Sequence, residues 1–308
     1  MSLNQILPLL QTSTELGLIS GLTVLALFLS YSMLNVCDLS TDGCFTLGAA
    51  IGGTVALMGH PWLSLPAAMA VGAVSGFVTA LLQTRMGINS LLAGIIVNTG
   101  LYSVNIAIMG GSSQLNLNRT ETVFTFAKQG LKGTALAQQY QMIVAVIAVI
   151  LIIVVLSLFL RTKMGLAIRA TGDNPAMVQS SSINPIFTTT VGLCISNSFT
   201  ALSGCLLAQY QKFVDINIGN GMVTVALASL LIGGVFFGKR KIPVRAIGAV
   251  VGAIIFRLIY ALALRLDMPA FMLKAVSAII IVIALAGPYL KTQGADALKH
   301  WKSGKAGA

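Results

Sequence analysis

Long apolar stretches separated by short polar connections recur along the whole chain of 308 residues. A helix needs roughly 17–25 mainly apolar residues to cross about 30 Å of hydrocarbon, and most of the stretches have this length. Lipid offers the backbone no hydrogen-bond partners, which favours helices over irregular chain. The pattern predicts an all-α membrane protein, a polytopic bundle of about nine segments (eight to ten). They cover residues 16–36, 44–59, 62–83, 88–109, 140–160, 186–208, 220–237, 243–264 and 270–290.

Two of these segments, residues 44–59 and 220–237, are shorter than the others and contain several glycines. Short, interrupted helices in transport proteins often end inside the membrane and line a pathway. Glycines four residues apart also let helix backbones approach closely in lipid, which predicts a tightly packed bundle. Such pairs are Gly17/Gly21, Gly48/Gly52, Gly72/Gly76 and Gly248/Gly252.

The composition supports the membrane assignment. Hydrophobic residues make up 56% of the chain and charged residues 9%, whereas about a quarter of the residues in a soluble domain are charged. The net charge of +11 does not indicate a nucleic-acid partner. The cations lie in short loops beside the spans, and there is no separate basic domain.

The distribution of Lys and Arg predicts the orientation. Loops on one side carry twelve of these residues, with the densest cluster in "GKRKIPVR", and loops on the other side carry six. The richer set is expected in the cytoplasm. The N-terminus is then outside and the C-terminus inside. One transmembrane domain, residues 1–290, contains an external loop (110–139) and a cytoplasmic region (161–185), and a basic cytoplasmic tail (291–308) follows.

The sequence lacks the residue groups that a membrane enzyme or a metal site requires. It has no His-x-x-x-His, no Asp-rich magnesium motif and no Gly-x-Ser-x-Gly. The segment "GGVFFGKR" has Arg240 where a phosphate-binding loop needs Ser or Thr, so this chain is not expected to bind ATP. No carboxylate is expected deep within the spans, although a proton-coupled carrier usually has one there. Asp38 and Asp42 are interpreted mainly as helix caps at the interrupted segment, with a role in substrate binding as the alternative.

Neutral polar stripes on two segments are the candidate lining of a pathway. One stripe comprises Asn98, Tyr102 and Asn105, and the other comprises Ser196, Thr200 and Ser203. Each set shares one helix face, which either forms hydrogen bonds between helices or lines a route for a polar solute. Arg257 is either a pathway cation or an arginine that reaches the surface or pairs inside the bundle. The two neutral stripes together suit an uncharged or zwitterionic substrate.

Residues 164–185 form a polar island between two apolar spans. Asp173 or Asn174 can cap a short helix whose first residue is Pro175, and Asn184 can cap the following span. The exposed face of the short helix would present Ala176 and Met177, which suit docking into a groove of another protein. The alternative is a solvated loop.

Three motifs resemble those of ABC-importer permeases of the class that serves branched-chain amino acids and monosaccharides. They are "CDLSTDGCFTLGAAIGG" (37–53), "RTKMGLAIRATGDNPAMVQSSSINP" (161–185) and "GNGMVTVALASLLIGGVF" (219–236), in the order that this class has them. The likeness runs from about residue 37 to 290. It is strongest to a bacterial subgroup proposed to import amino acids, with tryptophan and tyrosine as candidates. A monosaccharide or nucleoside is the alternative substrate.

The resemblance implies a type II-like importer fold with interrupted helices in the bacterial cytoplasmic (inner) membrane. It also implies a second permease copy (a homodimer or a close paralogue), two ATP-binding subunits that hold ATP and Mg, and an extracellular substrate-binding protein. No cofactor is expected in this chain. The residues expected to dock in the ATPase are Gly172, Asp173, Asn174, Pro175, Ala176, Met177, Val178, Gln179 and Ser180.

Other readings stay open from the sequence. A secondary transporter or facilitator would work without ATP, but would predict inverted repeats and an internal ion site. A membrane-embedded enzyme is disfavoured by the missing residue groups. The chain can also be a structural subunit of a larger complex. The loop 110–139 either contacts the binding protein or is an extended connection.

Overall fold

The computed structural model describes residues 3–132, 139–237 and 240–265, together with residues 275, 278, 279 and 282. Over these residues the chain is a helical bundle with one pair of very short strands. The helices are α1 (Leu3–Leu27), continued by a π-helix (Phe28–Met33), α2 (Thr41–Leu57), α3 (Pro61–Thr84), α4 (Ser90–Ile108), α5 (Val123–Gly130), α6 (Tyr140–Phe159), α7 (Lys163–Asp173), α8 (Pro175–Ser180), α9 (Pro185–Gln211), α10 (Met222–Phe237) and α11 (Ile242–Arg265). The strands are β1 (Gln114–Asn116) and β2 (Phe213–Asp215).

The all-α polytopic prediction is confirmed. Six of the described helices are long and apolar enough to cross a membrane. Eight of the nine predicted segments correspond to α1 with its π-helical continuation, α2, α3, α4, α6, α9, α10 and α11. The ninth, residues 270–290, lies outside the continuous stretches that the structure describes. The first begins at Leu3 instead of residue 16, and the sequence did not predict α5 or α7.

Helix α9 is the centre of the bundle and packs against α1, α2 and α3. Every residue from Phe199 to Gln209 is buried, as expected for a helix surrounded by others. Helix α6 instead buries a single stripe and exposes apolar residues on the opposite face, which suits contact with lipid. The buried stripe is Ala145, Val149, Ile152 and Leu156, and the exposed face includes Ile147, Ile150, Leu151 and Val154.

The predicted glycine contacts are confirmed, because all four pairs lie where helices come close together. A methyl group at Gly48 would collide with the backbone of Ala201 in α9. Gly76 likewise lies against the backbone of α9, Gly17 against α11, and Gly252 against α10. Small residues at these crossings let backbones approach without side chains between them.

A break separates α1 from α2, and Asp38 fixes its geometry. One carboxylate oxygen of Asp38 accepts hydrogen bonds from the backbone N–H (2.8 Å) and the hydroxyl (2.6 Å) of Ser40. The other accepts from the Asn197 amide in α9 at 2.8 Å. Asp38 therefore forms the turn before α2 and joins it to α9. The expectation that it caps a helix is wrong, since the N-cap of α2 is Ser40.

Two buried carboxylates contradict the expectation that no carboxylate lies deep within the spans. Asp38 is 1% exposed and Glu15 is 2% exposed, so acidic side chains do lie deep in the bundle. Glu15 accepts hydrogen bonds from the Tyr210 hydroxyl at 2.8 Å and from the Gln11 amide at 3.1 Å. The predicted first span started one residue after Glu15, which placed this residue outside.

The long loop predicted over residues 110–139 is folded where the structure describes it. Strand β1 pairs antiparallel with β2, with Leu115 opposite Val214. In α5, the Val123 backbone N–H donates to the Gln209 side chain at 2.9 Å. The Phe124 ring meets the Tyr210 ring edge-on at 5.7 Å. The described part is therefore not an extended connection.

The bundle has two different ends. At the α7–α8 end, Gly172 lies against the Met33 carbonyl at the end of the π-helix, and Arg85 and Asn184 line one cavity. The opposite end carries the β1–β2 pair and is called the ribbon end. There, β2 covers the C-terminal half of α2, where Gly53 faces Val214. Among the described basic residues, Arg85 and Arg245 lie at the α7–α8 end, where Arg245 donates to Ser32 of the π-helix, and Lys212 lies directly before β2. Which of the two ends faces the cytoplasm stays a prediction.

Candidate functional site

Two short helices meet inside the bundle at their N-termini. Helices α2 and α10 have 17 and 16 residues, or about 26 and 24 Å at 1.5 Å per residue, less than the roughly 30 Å of a hydrocarbon core. The Asp42 carboxylate, in the first turn of α2, accepts from the backbone N–H of Gly221 at 2.9 Å and of Val223 at 2.8 Å. The prediction that these two segments are short is confirmed. Asp42 does cap a helix, but the helix is α10.

Two cavities flank this junction and share the side chains of Asp42 and Asn220. The larger has a volume of about 560 Å³ and its polar lining includes Asp42, Gln211, Asn220, Thr224, Arg257 and Tyr260. The smaller, of about 240 Å³, is lined by Asp42, Gly43, Thr46, Asn98, Thr99, Tyr102, Asn105, Ile216 and Asn220. Both short helices thus contribute to the walls, as expected for broken helices beside a pathway.

The three α4 residues singled out from the sequence all line the smaller cavity. The Asn105 amide donates to the Gly43 carbonyl at 3.2 Å, so this side chain also holds α4 against α2. The Asn105 side-chain oxygen has no partner among the described residues. Tyr102 is 51% exposed. The predicted grouping of Asn98, Tyr102 and Asn105 on one polar face is confirmed, and their part in transport stays a prediction.

Arg257 lines the larger cavity. Its Nε atom is buried and has no hydrogen-bond partner within the described part of the chain. An unpaired buried guanidinium nitrogen is costly in a bundle of this kind, unless a solute or water satisfies it. Of the alternatives left open by the sequence, this placement favours the pathway cation.

The second polar stripe has a different environment from the first. Ser196 donates to the Ala26 carbonyl and Ser203 to the Ile19 carbonyl, both at 2.7 Å, while Thr200 donates to the Ser196 carbonyl at 3.2 Å. All three are at most 3% exposed. Ser196 and Ser203 therefore join α9 to α1, while Thr200 bonds within α9. Of the two roles that the sequence left open, bonding between helices fits Ser196 and Ser203, and a part of Ser196, Thr200 and Ser203 in the pathway stays a prediction. Serine hydroxyls commonly form such bonds between membrane helices.

The polar island contains the predicted short helix, α8 (Pro175–Ser180). Its cap is Asn174, which accepts from the Met177 backbone N–H at 3.1 Å, whereas Asp173 is the last residue of α7. Asn184 caps α9 by accepting from the Ile186 N–H at 2.9 Å, as predicted. The island is therefore two helices joined at Asn174.

The structure divides the expected docking residues into an exposed and an inward set. Met177 is 56% exposed. Also exposed are Asp173, Asn174, Pro175, Ala176, Gln179 and Ser180. Val178 is 1% exposed, and Gly172 lies against Met33 and Leu34. Val178 is therefore not part of an exposed face, Gly172 is half-buried against the bundle, and docking by the remaining residues stays a prediction.

The sequence analysis missed the contact between Glu15 and Tyr210. The available signal was the i, i+4 spacing of Gln11 and Glu15, which favours a helix extending through both residues. The contact with Tyr210 spans 195 residues of sequence, and no local pattern indicates it.

Comparison with known proteins gives a consistent family. Residues 10–285 match the family described as branched-chain amino acid transport system / permease component. The chain is 33% identical to a tyrosine transport system permease protein of Clostridioides difficile over 271 residues, or 88% of each chain. No solved structure matches it.

Two further relatives differ in the substrates that their names give. A probable branched-chain amino acid transport permease protein of Methanocaldococcus jannaschii is 28% identical, over 87% of this chain and 86% of its own. A fructose import permease protein of Bifidobacterium longum is 26% identical, over 84% of this chain and 72% of its own. With this match across nearly all of its length, its apolar spans and its paired broken helices, the chain belongs to the branched-chain amino acid permease family of ABC transporters, as a transmembrane component that is not itself an enzyme.

Proposed function

We propose that this chain forms the translocation pathway of an ATP-driven importer for an amino acid, with tyrosine as the first candidate. The observation that carries the proposal is the junction of α2 and α10 at Asp42, between two polar cavities. The tyrosine permease relative supports the choice of substrate. Import into the cytoplasm requires the α7–α8 end to face inward, with the N-terminus outside and the C-terminus inside.

The charges around the junction suit a zwitterion. Arg257 lines the larger cavity, where its guanidinium group can donate to a carboxylate group. The Asp42 carboxylate already accepts from the α10 backbone, so it can offer only its remaining lone pairs to an ammonium group. Tyr102 and Tyr260 bring aromatic rings to the two cavities. A weak and divided site of this kind lets a substrate enter and leave.

The α7–α8 end supplies the coupling to ATP. In the proposal, the exposed face around Met177 docks in a separate ATP-binding subunit, which holds ATP and Mg and does the hydrolysis. Gly172 then connects α7 directly to the end of the π-helix, and Asp38 connects the following break to α9. A rigid-body movement of α7 and α8 would reach the junction through these contacts.

The exposed face of α4 supports a second permease copy. Thr99, Gly100, Tyr102 and Ser103 are all exposed on the isolated chain. Polar side chains facing lipid are unfavourable, so this part of the face needs a protein or water environment. A second copy beside α4 would enclose the smaller cavity between two chains. An extracellular binding protein would deliver the substrate at the ribbon end.

The test is ATP hydrolysis and uptake in proteoliposomes. This chain is reconstituted with a candidate P-loop subunit of the same organism, with and without a candidate binding protein loaded with tyrosine, tryptophan, leucine, fructose or guanosine. Stimulation by the tyrosine-loaded protein is expected. Stimulation only by the fructose- or guanosine-loaded protein would support the importer assignment and exclude an amino acid as the substrate. Uptake without ATP or a partner would instead support a secondary transporter.

A further inference from the structure

A separate cavity lies between α3 and α9 at the α7–α8 end. It has a volume of about 440 Å³, within the roughly 300–1,000 Å³ typical of ligand sites. Its walls are mainly apolar, and Phe77, Leu81 and Phe187 are 49%, 39% and 59% exposed. None of its lining residues belongs to the two cavities at Asp42.

Two of the polar side chains that line this cavity, Arg85 and Asn184, have N–H donors available to a ligand. Within the described ranges, the Arg85 guanidinium has no hydrogen-bond or ion-pair partner, and Arg85 is exposed. Asn184 uses its side-chain oxygen to cap α9, which leaves its amide N–H groups available. The hydroxyls of Thr84 and Thr190 are already bonded within their own helices, to Ala80 and Ile186.

We infer that this cavity binds one anionic phospholipid. Its phosphate accepts hydrogen bonds from Arg85 and Asn184, and an acyl chain lies along Phe77, Leu81 and Phe187. Basic pockets between transmembrane helices on the cytoplasmic side are suited to such headgroups. The inference rests on the proposed orientation, with the α7–α8 end in the cytoplasm, and is independent of the substrate and of coupling to ATP.

The composition of the cavity favours a lipid over the other candidate occupants. A free phosphate would use the Arg85 end and leave two large aromatic side chains without contact. A peptide segment would present a row of backbone groups, and the mainly apolar walls of this cavity offer few hydrogen-bond partners for them. A single positive charge at the end of an apolar cleft matches a molecule with one anionic group and long apolar chains.

Native mass spectrometry of the purified protein in detergent tests the inference. The protein is titrated with phosphatidylglycerol and with phosphatidylcholine, and the ratio of the two dissociation constants is measured. One Arg near a membrane surface contributes enough attraction for about a fivefold preference for the anionic lipid. Arg85→Gln should remove this preference. Arg161→Gln, which changes an exposed arginine outside the cavity, should keep it.

Phe187→Ala should weaken binding of both lipids, whereas Phe236→Ala, which truncates an exposed phenylalanine outside the cavity, should weaken neither. Equal affinity of the wild type for both lipids would overturn the inference, as would equal losses in Arg85→Gln and Arg161→Gln. Glycerol phosphate binding as tightly as the lipid would assign the cavity to a free phosphate. Dissociation of a dimer by Phe187→Ala would assign it to a second copy. Either outcome would also overturn the lipid site.

Discussion

The backbone N–H of Val223 donates a hydrogen bond of 2.8 Å to the carboxylate of Asp42, 181 residues earlier in the chain. Asp42 lies in the first turn of α2 and Val223 in the first turn of α10. One carboxylate thus joins the starts of two broken helices. A negative charge is favourable at a helix N-terminus, because the unpaired N–H groups there carry partial positive charge.

Replacing Asp42 tests its structural role at the junction of α2 and α10. Asp42→Ala removes the acceptor for two backbone N–H groups, and we expect it to lower the free energy of unfolding by about 1–2 kcal/mol. Asp42→Asn keeps one acceptor oxygen and should lose less. Thermal unfolding in detergent measures both. Glu121→Ala, at an exposed acid, is the control, and an equal effect there would contradict the role of Asp42.

Tyr210→Phe should destabilise the protein, because it leaves the buried Glu15 with fewer donors. The ring and its contact with Phe124 are kept, so the change isolates the hydroxyl. The expected loss is about 1–3 kcal/mol of unfolding free energy. Tyr31→Phe, at a residue 41% exposed, should have little effect. In a Glu15→Gln background the loss should shrink, and full additivity would argue against a direct interaction.

Gly48→Ala and Gly100→Ala form a matched pair. A methyl group at Gly48 collides with the Ala201 backbone, while nothing lies within 4 Å of one at Gly100. Gly48→Ala should therefore lower the unfolding free energy by about 1–3 kcal/mol, the usual effect of overpacking. Gly100→Ala should fold normally. If it prevents assembly of the permease dimer, the second copy lies against α4 at this residue.

Met177→Glu should stop ATP-driven uptake and prevent binding of the ATP-binding subunit without changing the melting temperature, since Met177 is 56% exposed. Leu166→Glu, at an exposed apolar residue of α7, is the control for surface charge. Val178→Glu should instead unfold the region, because it buries a charge. Uptake at the wild-type rate in Met177→Glu would exclude α8 as the docking helix.

Arg257→Gln should impair transport and leave stability unchanged or higher. The arginine has a buried nitrogen without a partner, so its removal relieves an unfavourable burial. A charged hydrogen bond to a substrate contributes about 1.5–3 kcal/mol, which corresponds to at least a tenfold loss of affinity. Tyrosine uptake as a function of concentration measures this loss. Lower stability with normal uptake would identify Arg257 as a structural residue.

Hydropathy predicted the spans well because apolar length is a strong signal in a membrane. It failed at the start of α1, where Gln11, Ser13 and Thr14 lower the mean hydropathy. These side chains bond within the helix itself, Ser13 to the Leu9 carbonyl and Thr14 to the Gln11 carbonyl. Such bonds reduce the penalty of burial, and a hydropathy average does not include them.

The candidate site was only partly predictable, because helical spacing identifies a polar face but not what that face contacts. The stripes on α4 and α9 have equivalent helical spacing, yet one lines a cavity and the other meets α1. The difference lies in the neighbouring helix, which spacing does not reveal. The strands β1 and β2 have only three residues each, too few for an alternating pattern.

The contact between Gly172 and the Met33 carbonyl has a mechanical consequence. Backbone touches backbone there, so no side chain can change rotamer to absorb a relative displacement. Packed interiors have low compressibility. Helix α7 and the π-helix must therefore move together or separate completely, which makes the contact between them rigid. As at Gly48, a larger residue at position 172 would collide with a backbone carbonyl, so it would destabilise the fold together with the proposed coupling of α7 to the π-helix.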